Sequence, residues 1–193
     1  MSKTPQLERV EVTFAAQLRT WLERHYQQPE SIWLVLFKKH VADQYVSIEA
    51  VLDEIICFGW IDGRALKLDA DRVMRLIGLR RVHHWAGTYK TRAERLIREG
   101  RMHAAGLEAI SESKRRGLWD FMTDVDALEI PEDLAIALAA YPSATTHFDA
   151  FSASSKRFVL RWIKIAKTPR TRTNRIEQTA ALAAKGERVP GSC

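Results

Sequence analysis

The chain has 193 residues, 46% of them hydrophobic, and a formal net charge of +6. That length allows one domain or two small ones with a sizeable core, and no internal repeat or low-complexity segment interrupts it. No apolar run approaches the roughly 20 residues that cross a bilayer, and no apolar signal core follows Met1–Gln6, so the expectation is a cytoplasmic protein that is not integral to a membrane. The two cysteines, Cys57 in an apolar run and Cys193 at the end, belong to no close Cys/His set with zinc spacing. Cys57 reads as a buried free thiol, and neither a disulfide framework nor a metal or other cofactor is expected.

In chain order, Thr13 offers an N-cap for a helix whose apolar face is Phe14, Leu18, Trp21 and Leu22, ending near Pro29. Ile32–Phe37, six apolar residues rich in branched and aromatic types, reads as a short buried strand. Ser47 caps a second helix with the stripe Val51, Leu52, Ile55 and Ile56, which stops before Gly59. Trp60–Leu68 and Arg72–Arg80 then flank the polar turn Asp69-Ala70-Asp71 as a hairpin. Two helices follow. One carries Tyr89, Ala93, Leu96 and Ile97 and stops at Gly100; the other carries Leu107 and Ile110 and stops at Gly117. Val125–Ile130 reads as a linker. Pro131-Glu132-Asp133 opens a helical remainder with segments at roughly 131–141, 143–151, 154–167 and 169–185.

These elements predict an α+β fold. A small, mainly antiparallel sheet with helices occupies residues 1–125, followed by an all-helical, basic module at 131–188. The charge supports the division: ten Lys/Arg against five Asp/Glu lie from Pro131 onward, so five of the six surplus positive charges belong to the last third.

Two constellations stand out. At the start of the hairpin, Asp62 and Arg64 flank Gly63 and share a strand face at i and i+2. Arg75, Arg80 and Arg81 come from the neighbouring strand and its exit, and Trp60 and Trp85 border glycine and basic residues. Trp60, Asp62, Arg64, Arg80, Arg81 and Trp85 are therefore the candidate ligand site, a small pocket for an anionic or zwitterionic ligand with arginine as a bidentate clamp. The bland alternative has Asp62 ordering its turn and the arginines solvated. His83 and His84 are adjacent, so on an extended chain they point apart and chelate poorly. In the second constellation, Arg157, Arg161 and Lys164 share a helical face at i+4 and i+3, and Arg172 and Arg175 begin the next helix. This is a candidate surface for an acidic protein or other anion, weighed against a merely solvated face. Nucleic acid is a further alternative, although no helix-turn-helix, RNP or zinc-finger pattern accompanies it.

The runs FGWIDGRALKLD (58–69), RAERLIREGRMHAAGLEAI (92–110) and GLWD (117–120) resemble the YdeI/OmpD-associated, bacteriocin-protection (OmdA) family. The C-terminal part resembles its OmdA-type module, with Pro131-Glu132-Asp133-Leu134, Phe148, Ser154, Lys156-Arg157, Trp162-Ile163, Ala166-Lys167, Thr171-Arg172 and Arg175-Ile176. The resemblance runs from about Phe14 to Gly186. It departs at Gly78–Tyr89, where the proline, serines and asparagine of similar members are replaced. The resemblance implies a non-enzymatic stress protein linked to resistance against bacteriocins or cationic peptides, acting through binding. An enzyme or sensor using Asp62 with Arg80 is the alternative in a different class.

Overall fold

A computed structural model describes residues 7–191. Cys193 and the Met1–Gln6 segment lie outside the described residues. The chain divides into two compact units, the first ending at Asp120 and the second beginning at Phe121.

The first unit is α+β. Its strands are β1 (Arg9–Glu11), β2 (Ile32–Phe37), β3 (Trp60–Lys67) and β4 (Arg72–Leu79). They form one mixed sheet in the order β1-β2-β4-β3. β1 runs parallel to β2, and the other two pairings are antiparallel. The three residues of β1 are too few to show a period, which is why alternation does not betray them. The hairpin turn closes through Asp69, whose Oδ1 accepts the Asp71 and Arg72 N–H groups at 2.9 and 2.7 Å. A register shift between Asp62 and Ala65 bends β3.

The helices of this unit are α1 (Ala15–His25), α2 (Ile48–Cys57), α3 (Gly87–Arg98) and α4 (Ala104–Arg115). α2 begins where Ser47 Oγ accepts the Ala50 N–H at 3.2 Å, and it touches α1, β3, α3 and α4. It is therefore the central helix, and Val51, Ile55 and Ile56 are fully buried in it. It ends at Gly59, whose φ of +72° suits glycine. Immediately beyond, α4 crosses very close. A methyl group on Gly59 would meet the Ala105 carbonyl oxygen at 2.9 Å, and one on Gly106 would sit on the Cys57 carbonyl oxygen.

Four details depart from the residue pattern. Thr13 does not cap α1; instead Gln17 Oε1 turns back to accept the Thr13 N–H at 2.7 Å. Phe14 stands at the cap in an extended conformation, outside the helical period, and is 55% exposed. Ile97 faces outward because α3 packs through Ala93 and Leu96. Leu107 also faces outward, since the buried face of α4 runs through Gly106, Ile110 and Ser113 at i, i+4 and i+7.

The second unit is helical among its described residues: α5 (Thr123–Asp126), α6 (Glu132–Ala139), α7 (Ala144–Ala150), α8 (Ala153–Lys164) and α9 (Pro169–Ala184). Ser152 and Thr168 cap α8 and α9 with their hydroxyls, at 3.2 and 3.1 Å. Leu134, Leu138, Phe148, Val159, Ile163 and Ala180 make its core. Met122 and Val125 are buried in that same core, so the stretch before Pro131 contributes a short helix and two anchors rather than only a connection.

Candidate functional site

The hairpin residues form a cluster around Asp62. Its carboxylate accepts a hydrogen bond from Arg75 Nη1 at 2.6 Å and a short one from the Tyr89 hydroxyl. Burial, then the hydrogen bond to Asp62, pushes the Tyr89 phenol well above its ordinary range. Arg80 lies beside this pair, with its guanidinium carbon 4.0 Å from the Trp85 ring centre and 5.4 Å from that of Tyr89. Arg80 Nη1 donates to the His84 carbonyl oxygen at 3.3 Å, while its Nε is sealed from water without a partner. Burial lowers the Arg80 guanidinium to about 10, against the opposing pull of Tyr89 and Asp62. Among the described residues, no carboxylate forms an ion pair with Arg80; Asp62 pairs directly with Arg75 instead.

The structure therefore brings Asp62, Arg80 and Trp85 of the sequence-derived set into one cluster, through Tyr89. The other three make their contacts elsewhere. Trp60 is fully buried and donates its indole N–H to the Tyr26 carbonyl oxygen at 2.9 Å. Arg64 is exposed and lies 5.6 Å from the Trp33 ring centre. Arg81 donates to the Pro29 carbonyl oxygen at 2.7 Å.

An open groove of about 640 Å³ has Arg80 in its lining. One wall is α4, which presents Ala105 and Ala109 along its length with Glu108 and Glu112 towards the rim. The opposite wall comes from Tyr26 and Gln27 after α1, Phe58 and Gly59 after α2, and Leu79, Arg80 and His83 at the exit of β4. The close crossing at Gly59 and Gly106 sets how near these walls stand. One end is aromatic: His103 stacks on Phe58 with ring centres 4.8 Å apart and lies 4.7 Å from Tyr26. His103 also caps α4, its Nδ1 accepting the Ala105 N–H at 3.2 Å, so a neutral ring carries its proton on Nε2 as a donor. The two rim carboxylates are engaged: Arg115 bonds to both Glu108 and Glu112, and Arg116 bonds to Glu112.

Tyr26, Phe58 and His103 were not among the residues singled out, because they are brought together from three separate elements. A second group was also missed. Asp53 and Glu54, nearly buried on α2, are held by Arg92, Arg95 and Arg101 on one carboxylate and by Arg19 and Arg101 on the other. Burial pushes the Asp53 carboxyl up, but hydrogen bonds from Arg95 and Arg92 outweigh it and hold the group below the usual range. Two adjacent acids inside an apolar helical stripe were the signal available in the sequence, since such charges stay buried only with partners.

In the second unit, the basic residues are largely engaged with the unit itself. Lys164 Nζ lies 2.5 and 2.6 Å from the Asp124 carboxylate, and Arg172 binds Asp133 through two hydrogen bonds of 2.7 and 2.9 Å. Arg175 stacks on Trp162 and donates to its carbonyl oxygen. Arg157 Nε donates to the Asp126 carbonyl oxygen at 3.4 Å. Arg161 is exposed. Among the described residues, no group of three His, Cys, Asp or Glu side chains is placed to hold a metal ion, and no helix is long and apolar enough to cross a membrane.

Fold and site together define an α+β unit with an open groove that one arginine helps line, followed by a helical unit. Residues 10–109, just over half of the chain, match the family model "Domain of unknown function (DUF8412)", and the chain belongs to that family. Residues 127–186 match the model "Bacteriocin-protection, YdeI or OmpD-Associated". The resemblance seen along the sequence is thus supported for that C-terminal segment, while the segment with the Gly-Trp-Ile-Asp-Gly motif is matched by the other model. No curated protein and no solved structure matches the chain.

Proposed function

We propose that this is a non-enzymatic, cytoplasmic binding protein whose first unit takes a small ligand bearing an anionic group, in the groove beside α4. One observation carries the reading: Arg80 lines an open groove, burial lowers its guanidinium pKa, and among the described residues no carboxylate forms an ion pair with it. A buried cation that feels a carboxylate, Asp62, only without direct pairing is costly in a folded protein, and a bound anion would supply a direct partner. Clefts of this volume, with apolar walls and few polar groups, are the usual form of small-molecule sites.

Catalysis by Asp62 is less well supported, because both its oxygens are engaged by Arg75 and Tyr89. A basic docking face for an acidic protein or nucleic acid is weakened by the internal pairing of Lys164 and Arg172. The link to bacteriocin or cationic-peptide resistance rests on the words of the C-terminal family description.

The test is a ligand-observed NMR screen of a small-fragment set of mixed charge, run on the wild type and on Ala105→Trp, in which the indole fills the groove. The reading expects a group of hits, enriched in anions, that the tryptophan abolishes while the melting curve stays cooperative. Hits that ignore the substitution, or no hits, would overturn it.

A further inference from the structure

Resting on the groove reading above, the geometry points to a ligand class: a planar aromatic monocarboxylate. Its carboxylate would lie on Arg80, and its ring face would lie along Gly59, Ala105 and Ala109 towards His103 and Tyr26.

Three features of the groove select that chemistry. Charge comes first. Arg80 is the one permanent cation in the lining, and the two lining carboxylates, Glu108 and Glu112, sit on the same helix. Arg115 and Arg116 neutralise those acids at the rim. A single guanidinium facing two neutralised acids matches one negative charge; a phosphate monoester, approaching two, would leave charge uncompensated beside Glu112. The α4 amides offer no further anion site, since the Ala105 N–H is taken by His103 and the Gly106 N–H by the His103 carbonyl oxygen.

Shape comes second. Where α2 ends against α4, the lining consists of a glycine and two alanines, Gly59, Ala105 and Ala109. No branched side chain interrupts that strip, so it offers a smooth surface to a flat ring. The third feature is the aromatic end, where the His103 and Tyr26 rings are tilted at 59° to each other with centres 4.7 Å apart. An offset or edge contact with such rings favours an aromatic over a saturated group by roughly fivefold beyond the area buried. His103 Nε2 and the Tyr26 hydroxyl are the groups at that end able to meet polar ring substituents.

The experiment uses the full-length protein and four probes: 2-naphthoate, the neutral 2-naphthalenemethanol, the saturated decalin-2-carboxylate and the phosphate ester 2-naphthyl phosphate. Each is titrated calorimetrically at pH 7 into wild type, Arg80→Met and Ala105→Trp. The expected order has 2-naphthoate binding more tightly than each of the other three: about tenfold over the alcohol, the factor that one charge-assisted hydrogen bond supplies, and about fivefold over the saturated acid, the factor that the aromatic contact adds. Arg80→Met is expected to erase the advantage over 2-naphthalenemethanol, and Ala105→Trp to abolish binding of all four. Equal binding of the alcohol or the saturated acid, tighter binding of the phosphate, or an advantage that survives Arg80→Met would each overturn the ligand class. If none of the four binds while other screen compounds still bind in a tryptophan-sensitive way, the ligand class falls and the groove reading stands. If nothing binds in that way, both fall.

Discussion

Replacing Arg80 by methionine should leave the fold nearly as stable as the wild type, which is unusual for a side chain so well enclosed. The magnitude follows from the contacts. Burial lowers the guanidinium to about 10, well below its ordinary value; at roughly 1.4 kcal/mol per pH unit, keeping it charged costs on the order of 3 kcal/mol. Against this stand the stacking on Trp85, about 2 kcal/mol when desolvated, and the hydrogen bond to the His84 carbonyl oxygen, about 1 kcal/mol. These terms cancel, and methionine keeps the apolar stem. Urea unfolding at pH 7, followed by circular dichroism, should therefore place Arg80→Met within about 1 kcal/mol of the wild type, against the 3–5 kcal/mol lost when a well-paired buried charge loses its partner. The sign also has a pH signature. Above about pH 10 the unfolded wild type still holds a proton on this group that the folded state has released. Stability then gains a contribution that rises with pH, and the methionine variant lacks it. A loss above about 2 kcal/mol at pH 7 would refute the reasoning, since it would make Arg80 a structural tie rather than a cation held open for a ligand.

Two further outcomes test the framework around the groove. Asp53→Asn removes the charge that Arg92, Arg95 and Arg101 share, and should cost about 3 kcal/mol at pH 7, tempered by the partial exposure of those arginines. Because the folded-state carboxyl titrates below its ordinary value, its contribution is present above about pH 4 and fades as pH falls further. Urea midpoints of variant and wild type should therefore converge at low pH; a gap that stays constant down to pH 2 would contradict the assignment. Gly106→Ala should cost more than Gly117→Ala. The first would force a methyl group onto the Cys57 carbonyl oxygen, whereas the second has nothing within 4 Å and meets only left-handed strain, about 1 kcal/mol. Equal losses in thermal melts would show that α2 and α4 are not tightly opposed.

Much of the fold was legible because its signals are local. Ser47 as a cap, Gly59, Gly100 and Gly117 as stops, the Asp69-Ala70-Asp71 turn and the Pro131 helix start each act within a few residues. β1 was not legible, since three residues paired to a strand more than twenty positions away carry no period of their own. The site divides the same way. Asp62, Arg80 and Trp85 were found because a hairpin and its exit are contiguous in sequence, while Tyr26, Phe58 and His103 meet only when α1, α2 and α4 converge. The basic residues of α8 and α9 show the opposite limit: sequence reveals the cations, but Asp124 and Asp133, which engage Lys164 and Arg172, come from other helices.

The glycine contact between α2 and α4 separates two jobs that binding sites often combine. Gly59 and Gly106 act as a spacer of zero thickness, fixing the distance between the walls by backbone contact alone. The residues that face the groove are thereby relieved of holding it open. Substitutions at Gln27 or Leu79, which line the groove away from that contact, would change its lining without changing its width.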